Sequence, residues 1–337
     1  MARVLRMRLL VVLAVTLGSA SAQSEVQPLN DLPNPYRTVR DWGHPPNGVP
    51  WAAVTAVEVS SDGSIYVIHR CHDNSCAGRP EPPILKFDAS GKLLTAWGEG
   101  MFVFPHGATV DAQGNLWVTD EQMKDGKGMQ VFQFSPEGKV LMTLGKAGVA
   151  SDEPGLFDEP SDVAVAPDGD IFVTEGHSGP RHGNDRISKF SKDGKFLKSW
   201  GKRGSGNDEL NAPHTIALDS QGRLFVGDRN NNRIQIFDQE GRYLDTWRQF
   251  GRPSGILILK DDTLYVADSE SWGKDEPGWK KGIRIGSAKT GKVSYFIEDL
   301  ESTTEEHSGA EGVGVDAAGN VYGAVVRRQM LEKHIKK

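Results

Sequence analysis

Arg223-Leu224-Phe225-Val226-Gly227-Asp228-Arg229-Asn230-Asn231-Asn232-Arg233-Ile234-Gln235-Ile236-Phe237-Asp238 is the stretch whose reading decides the fold. Two short strands, each rich in β-branched and aromatic residues, flank a polar turn. Gly222 introduces the first strand, and Glu240-Gly241 turns the second into a further strand, Tyr243 to Trp247. Glycine suits such turns because it accepts positive φ without a Cβ clash.

The same unit recurs along the chain. Strands equivalent to Arg223-Leu224-Phe225-Val226 are Ser64-Ile65-Tyr66-Val67, Asn115-Leu116-Trp117-Val118, Asp170-Ile171-Phe172-Val173, Thr263-Leu264-Tyr265-Val266 and Asn320-Val321-Tyr322-Gly323. Their turn residues are Gly63, Gly114, Gly169, Gly222, Asp262 and Gly319, spaced by 51, 55, 53, 40 and 57 residues. Third and fourth strands read clearly at Ile84 to Trp97, Arg186 to Trp200 and Arg233 to Trp247. Six four-stranded units of this period predict an all-β chain, a six-bladed β-propeller. The sixth unit lacks a fourth strand, and Arg37-Thr38-Val39-Arg40-Asp41-Trp42-Gly43 resembles one. An N-terminal strand is therefore expected to close the ring, which removes the open edges an extended solenoid would keep.

The ends define the organisation. Residues 1–22 read as a signal peptide: Arg3, Arg6 and Arg8 precede an apolar run, and Ala20-Ser21-Ala22 is a small-residue cleavage site. Residues 23–35 are an N-terminal extension and 36–337 the propeller. The formal charge is −6, and it becomes −9 without residues 1–22. That argues against a broad nucleic-acid surface. A secreted or periplasmic protein without membrane insertion after signal cleavage is expected. Its two cysteines, Cys71 and Cys76, are then expected to form a disulfide in an oxidising compartment.

Aligned blades let residues be read in columns. Eight positions before each turn residue stand Thr55, His106, Ser161, His214, Ser254 and Glu311. Small hydroxyl residues alternate with three metal-binding types, and blades 2, 4 and 6 lie roughly 120° apart in a six-fold ring. Two imidazoles and one carboxylate suit zinc with an open position, and equally Fe(II) or another divalent metal. Seven positions after each turn residue stand Arg70, Glu121, Gly176, Arg229, Ser269 and Val326. Arg70 and Arg229 come from opposite blades and suit a carboxylate held by bidentate hydrogen bonds. The alternative for Arg229 is an ion pair with Asp228. The loop from Glu175 to Asp185 carries His177 and His182, imidazoles that titrate near neutrality and suit acid–base work.

Pro105-His106-Gly107, Pro213-His214-Thr215, Ile68-His69-Arg70 and Asp228 to Gln235 resemble the NHL-repeat propellers, and more closely the peptidyl-α-hydroxyglycine α-amidating lyase family. The resemblance runs over roughly residues 35 to 330. It implies cleavage of a carbinolamide C–N bond to an amide and glyoxylate, on a small-molecule or peptide-derived substrate with a carboxylate. It also implies a zinc held by histidines, matched here by His106 and His214, and active-site arginines matched by Arg70 and Arg229. Calcium enters through the resemblance alone, with Val57 and Ala108 matching the backbone carbonyls that would hold it.

Three positions depart from the family pattern. Glu311 stands for the third zinc histidine, Gly312 for a calcium aspartate, and His177 for the catalytic tyrosine. Two other classes stay open: a gluconolactonase-like metal-dependent hydrolase and a non-catalytic NHL-repeat binding protein. Glyoxylate release, lactone opening, or indifference to loss of His106, His214 and Glu311 separates them.

Overall fold

The computed structural model describes residues 26–177, 183–271, 278–301 and 308–337. The signal-peptide reading of residues 1–22 lies outside them. The described residues form six four-stranded antiparallel sheets, the blades of a β-propeller. Blades 1 to 5 each use four consecutive strands. Blade 6 joins Ala310–Val315, Val321–Val325 and Met330–Lys336 to the N-terminal strand Tyr36–Val39. The closing strand pairs Tyr36 with Lys336 and Val39 with Lys333. It is shorter than the stretch from Arg37 to Gly43 suggested. Trp42 lies beyond the strand, buried against Phe87 of blade 1 and Tyr322 of blade 6, with ring centroids 5.7 and 4.9 Å away. The ring is thus closed by hydrogen bonds within blade 6 and by aromatic packing between blades 6 and 1.

The turns behave as their sequences dictate. Gly63, Gly114, Gly169, Gly222 and Gly319 all have positive φ. Blade 5 puts Asp262 at this position with φ 67°, a conformation acidic and amide side chains tolerate better than most. Its amide still donates to the Leu259 carbonyl, as Gly222 donates to Asp219. Second strands are buried throughout, whereas fourth strands such as Phe196–Trp200 alternate between partly buried and exposed residues. The core therefore lies between blades, and the first strands line a central channel. Cys71 and Cys76 are disulfide-bonded. No described helix is long and apolar enough to cross a membrane.

Candidate functional site

The first column converges because of a repeated irregularity. In blades 1, 2, 3, 4 and 6 the pairing of first and second strands slips at Val54/Ala56, Pro105/Ala108, Pro160/Asp162, Pro213/Thr215 and Ala310/Gly312. Thr55, His106, Ser161, His214 and Glu311 fall at these slips. A bulge leaves its extra residue outside the ladder and re-aims the side chain, here into the channel. All five are buried.

The next blade orients both histidines of the column. His106 Nδ1 lies 2.7 Å from the Ser161 carbonyl, and His214 Nδ1 lies 2.7 Å from the Ser254 carbonyl. A carbonyl only accepts, so each Nδ1 carries a hydrogen and each Nε2 points into the channel, where a neutral ring presents a lone pair. Ser161 also ties its own hydroxyl to the Pro213 carbonyl at 2.6 Å. His106 and His214 are each oriented by a backbone carbonyl of the next blade, the arrangement expected around a metal ligand. Both Nε2 atoms are buried without a hydrogen-bond partner.

His177 joins them. Its ring centroid is 5.2 Å from those of both His106 and His214. Ligand atoms of the three histidines all lie within 4.8 Å of one another, close enough to share one ion after small adjustments. Glu311 Oε1 is 3.3 Å from His106 Nε2. Glu121, present in the second column but not singled out from the sequence, is also here. Its Oε2 is 3.3 Å from His106 Nε2, and its Oε1 is 3.6 Å from His177 Nδ1. The available signal was its place in the column that supplies Arg70 and Arg229.

Arg70 is buried, with its guanidinium carbon 3.4 Å from the Phe104 ring centroid. Its Nη1 donates to Asn74 Oδ1 at 2.7 Å, while Nη2 is buried without a hydrogen-bond partner. Arg229 is buried and approaches Glu270 at 3.8 Å. Asp228 pairs instead with Arg233, at 2.6 Å. Val57 and Ala108 line the channel further along the first strands, with Glu58, Asp162 and Gly312. A Cβ at Gly312 would fall 2.6 Å from the Thr55 carbonyl oxygen, so the backbone leaves no room there for an aspartate. His69 faces the Pro82 carbonyl and His72 pairs with Arg79, both apart from this cluster. His182 and His307 lie outside the described residues.

Charge sets the protonation states. Burial alone would raise Glu311, but the His106 ring and the Arg70 and Arg229 charges outweigh it and hold the carboxyl at about 2. Burial pushes Glu121 up, against the pull of His106 and Arg70. Burial also pushes His177 and His214 well below the usual imidazole value, reinforced by the Arg229 charge. Burial opposes a charge on His106, but Glu121 and Glu311 raise it above the usual imidazole value. Neutral His177 and His214, His106 once its Nε2 proton is displaced, and the buried carboxylates form a donor set suited to a divalent cation.

The NHL repeat family matches residues 210–237, the segment running into and through the first three strands of blade 4. Peptidyl-glycine alpha-amidating monooxygenase B of Xenopus laevis is 35% identical over 208 residues, 56% of this chain and 23% of that protein. Peptidyl-alpha-hydroxyglycine alpha-amidating lyase 2 of Drosophila melanogaster is 32% identical over 237 residues, 65% of this chain and 55% of that protein. This chain is similar to the amidating lyases over more than half of its length and carries an NHL repeat in blade 4. It spans 15% to 55% of the length of the curated relatives compared. The solved structure of a gluconolactonase from Xanthomonas campestris shares this chain's fold, with a TM-score of 0.58 at 15% identity over 90% of each chain.

Proposed function

We propose that this amidating-lyase-like propeller is a metal-dependent carbon–nitrogen lyase. It splits the C–N bond of a carboxylate-bearing α-hydroxy amide into an amide and an α-oxo acid. The observation that carries the reading is the paired orientation of His106 and His214, whose Nε2 lone pairs enter the channel beside His177 and Glu311.

His106, His214 and Glu311 would hold the metal. Glu311 Oε1 and His106 Nε2, 3.3 Å apart, are close enough to serve one ion. Zinc and other divalent metals suit this set. A metal bound here supplies Lewis acidity to the substrate hydroxyl. Arg70 offers its unpartnered Nη2 to the substrate carboxylate, with Arg229 across the ring. His177, held neutral, accepts the hydroxyl proton at a ring nitrogen and returns it to the departing amide nitrogen. The C–O bond becomes a carbonyl as the C–N electron pair leaves with nitrogen, so no other reactant is consumed. Burial of the site limits competing attack by water. The grouping of three histidines favours a second arrangement, with His177 as a ligand.

The test is metal analysis of the purified protein, with assay of glyoxylate release from a peptidyl-α-hydroxyglycine. We expect one bound divalent metal, lost in His106→Ala together with turnover. Absence of metal from the native protein, or full turnover without it, overturns the reading; lactone opening without glyoxylate release replaces the lyase by a hydrolase. The disulfide and the N-terminal sequence support export, and Gln23 is the first residue expected when the exported protein is sequenced.

A further inference from the structure

Glu121 follows the second strand of blade 2, Leu116–Asp120, at the position where Arg70 and Arg229 follow theirs. Its side chain is 1% exposed, and neither carboxylate oxygen accepts a hydrogen bond. A buried carboxyl group that accepts no hydrogen bond is costly and calls for a physical explanation. Arg70 makes no hydrogen bond to it: its Nη1 donates to Asn74 Oδ1, its Nε to the Pro105 carbonyl, and its Nη2 has no hydrogen-bond partner.

The contact with His106 sharpens the problem. His106 donates through Nδ1 to Ser161, which leaves Nε2 facing the carboxylates. Nε2 lies 3.3 Å from Glu121 Oε2 and 3.3 Å from Glu311 Oε1. Two buried carboxylates that meet at one imidazole nitrogen call for positive charge between them, a proton on Nε2 or, in its place, a metal ion. Separations of 3.3 Å are those of neighbouring donors on one ion at about 2.0–2.1 Å.

We propose that Glu121 is an inner-sphere carboxylate ligand of the metal centre. The inference rests on the metal reading above. The centre is then a two-histidine, two-carboxylate site, with His177 on its substrate side. Two carboxylates balance the charge of a divalent ion. The oxygen-rich set also admits Mn(II) or Fe(II) as readily in geometry as zinc.

Titration of the full-length mature protein with Mn(II) and Zn(II), and visible absorption of its Co(II) form, test this. Glu121→Gln keeps the side-chain volume and removes the charge. We expect it to weaken Mn(II) binding at least tenfold, Zn(II) binding less, and to change the Co(II) spectrum. Unchanged affinities and spectrum in a metal-binding Glu121→Gln protein overturn the ligand role while leaving the metal reading intact. Failure of the unsubstituted protein to bind any metal overturns both. Should Glu121→Gln not fold, Glu121→Asp and the unsubstituted Co(II) protein decide. A Co(II) spectrum altered by the aspartate supports the ligand; one that the aspartate leaves unchanged overturns it.

Discussion

Arg70 shows how much of the site a single side chain can reveal. Its place after a second strand was legible from the repeat, but its packing was not. The guanidinium lies on the Phe104 ring and spends one amino group on Asn74, leaving Nη2 for a ligand. Lysine would retain the charge but not this fork. Arg70→Lys should therefore raise KM for a carboxylate-bearing substrate roughly 10- to 100-fold, about 1.5–3 kcal/mol for a charged hydrogen bond. Metal content should not change; kinetics and metal analysis check both. His177 separates the two arrangements of the centre. As a proton carrier, His177→Ala should keep its metal and lose about 10²- to 10⁴-fold in kcat. Loss of the metal in that variant would place His177 among the ligands. His106, His214 and Glu311 were legible because the repeat puts them in one column. Glu121 stood in the other column beside two arginines, and only its distance to His106 gives it a role.

Individual strands were readable from their alternation and turns, and blades 1, 3 and 4 could be traced strand by strand. The bulges were not readable, because a register slip is a relation between two strands and leaves no local mark at His106 or His214. Yet these slips aim the candidate ligands. The Cys71–Cys76 loop shows a similar coupling at the end of blade 1. Arg70 precedes the disulfide directly, and Cys71 has φ 52°. Closing so short a loop removes unfolded-state entropy worth about 2 kcal/mol. The double variant Cys71→Ser, Cys76→Ser should melt at a lower temperature and show a raised KM, because the bond anchors the segment that carries Arg70. Thermal melts and kinetics, with the dithiothreitol-reduced parent as comparison, test this. An unchanged KM would show that Phe104 and Asn74 hold Arg70 without the disulfide.

At the scale of the whole ring, architecture was legible because six repeats report the same blade, and the missing strand of blade 6 pointed to the N-terminal segment. What the channel would do was less legible, because it depends on which groups the closed ring brings within bonding distance. Closure also creates a pH dependence. His334 of blade 6 pairs with Thr38 of the closing strand, and its Nδ1 lies 2.9 Å from the Thr38 hydroxyl. Burial depresses His334 to about 4, despite the opposing charge of Glu332. The unfolded chain has an ordinary histidine near 6.5. Between these values the unfolded state binds the proton and the folded state does not. The contribution of His334 is therefore complete above about pH 6.5 and falls as the pH drops toward 4. Asp120 and Asp162, raised by burial to about 7 and about 6, act in the opposite direction, since their folded forms keep protons that the unfolded chain releases. The total curve is thus a sum, and the His334 share is read from a difference. Denaturant midpoints of the parent and His334→Gln should converge as the pH falls from 6.5 to 4, the variant losing less stability. Parallel curves would show that protonation at the ring closure does not govern this part of the acid response.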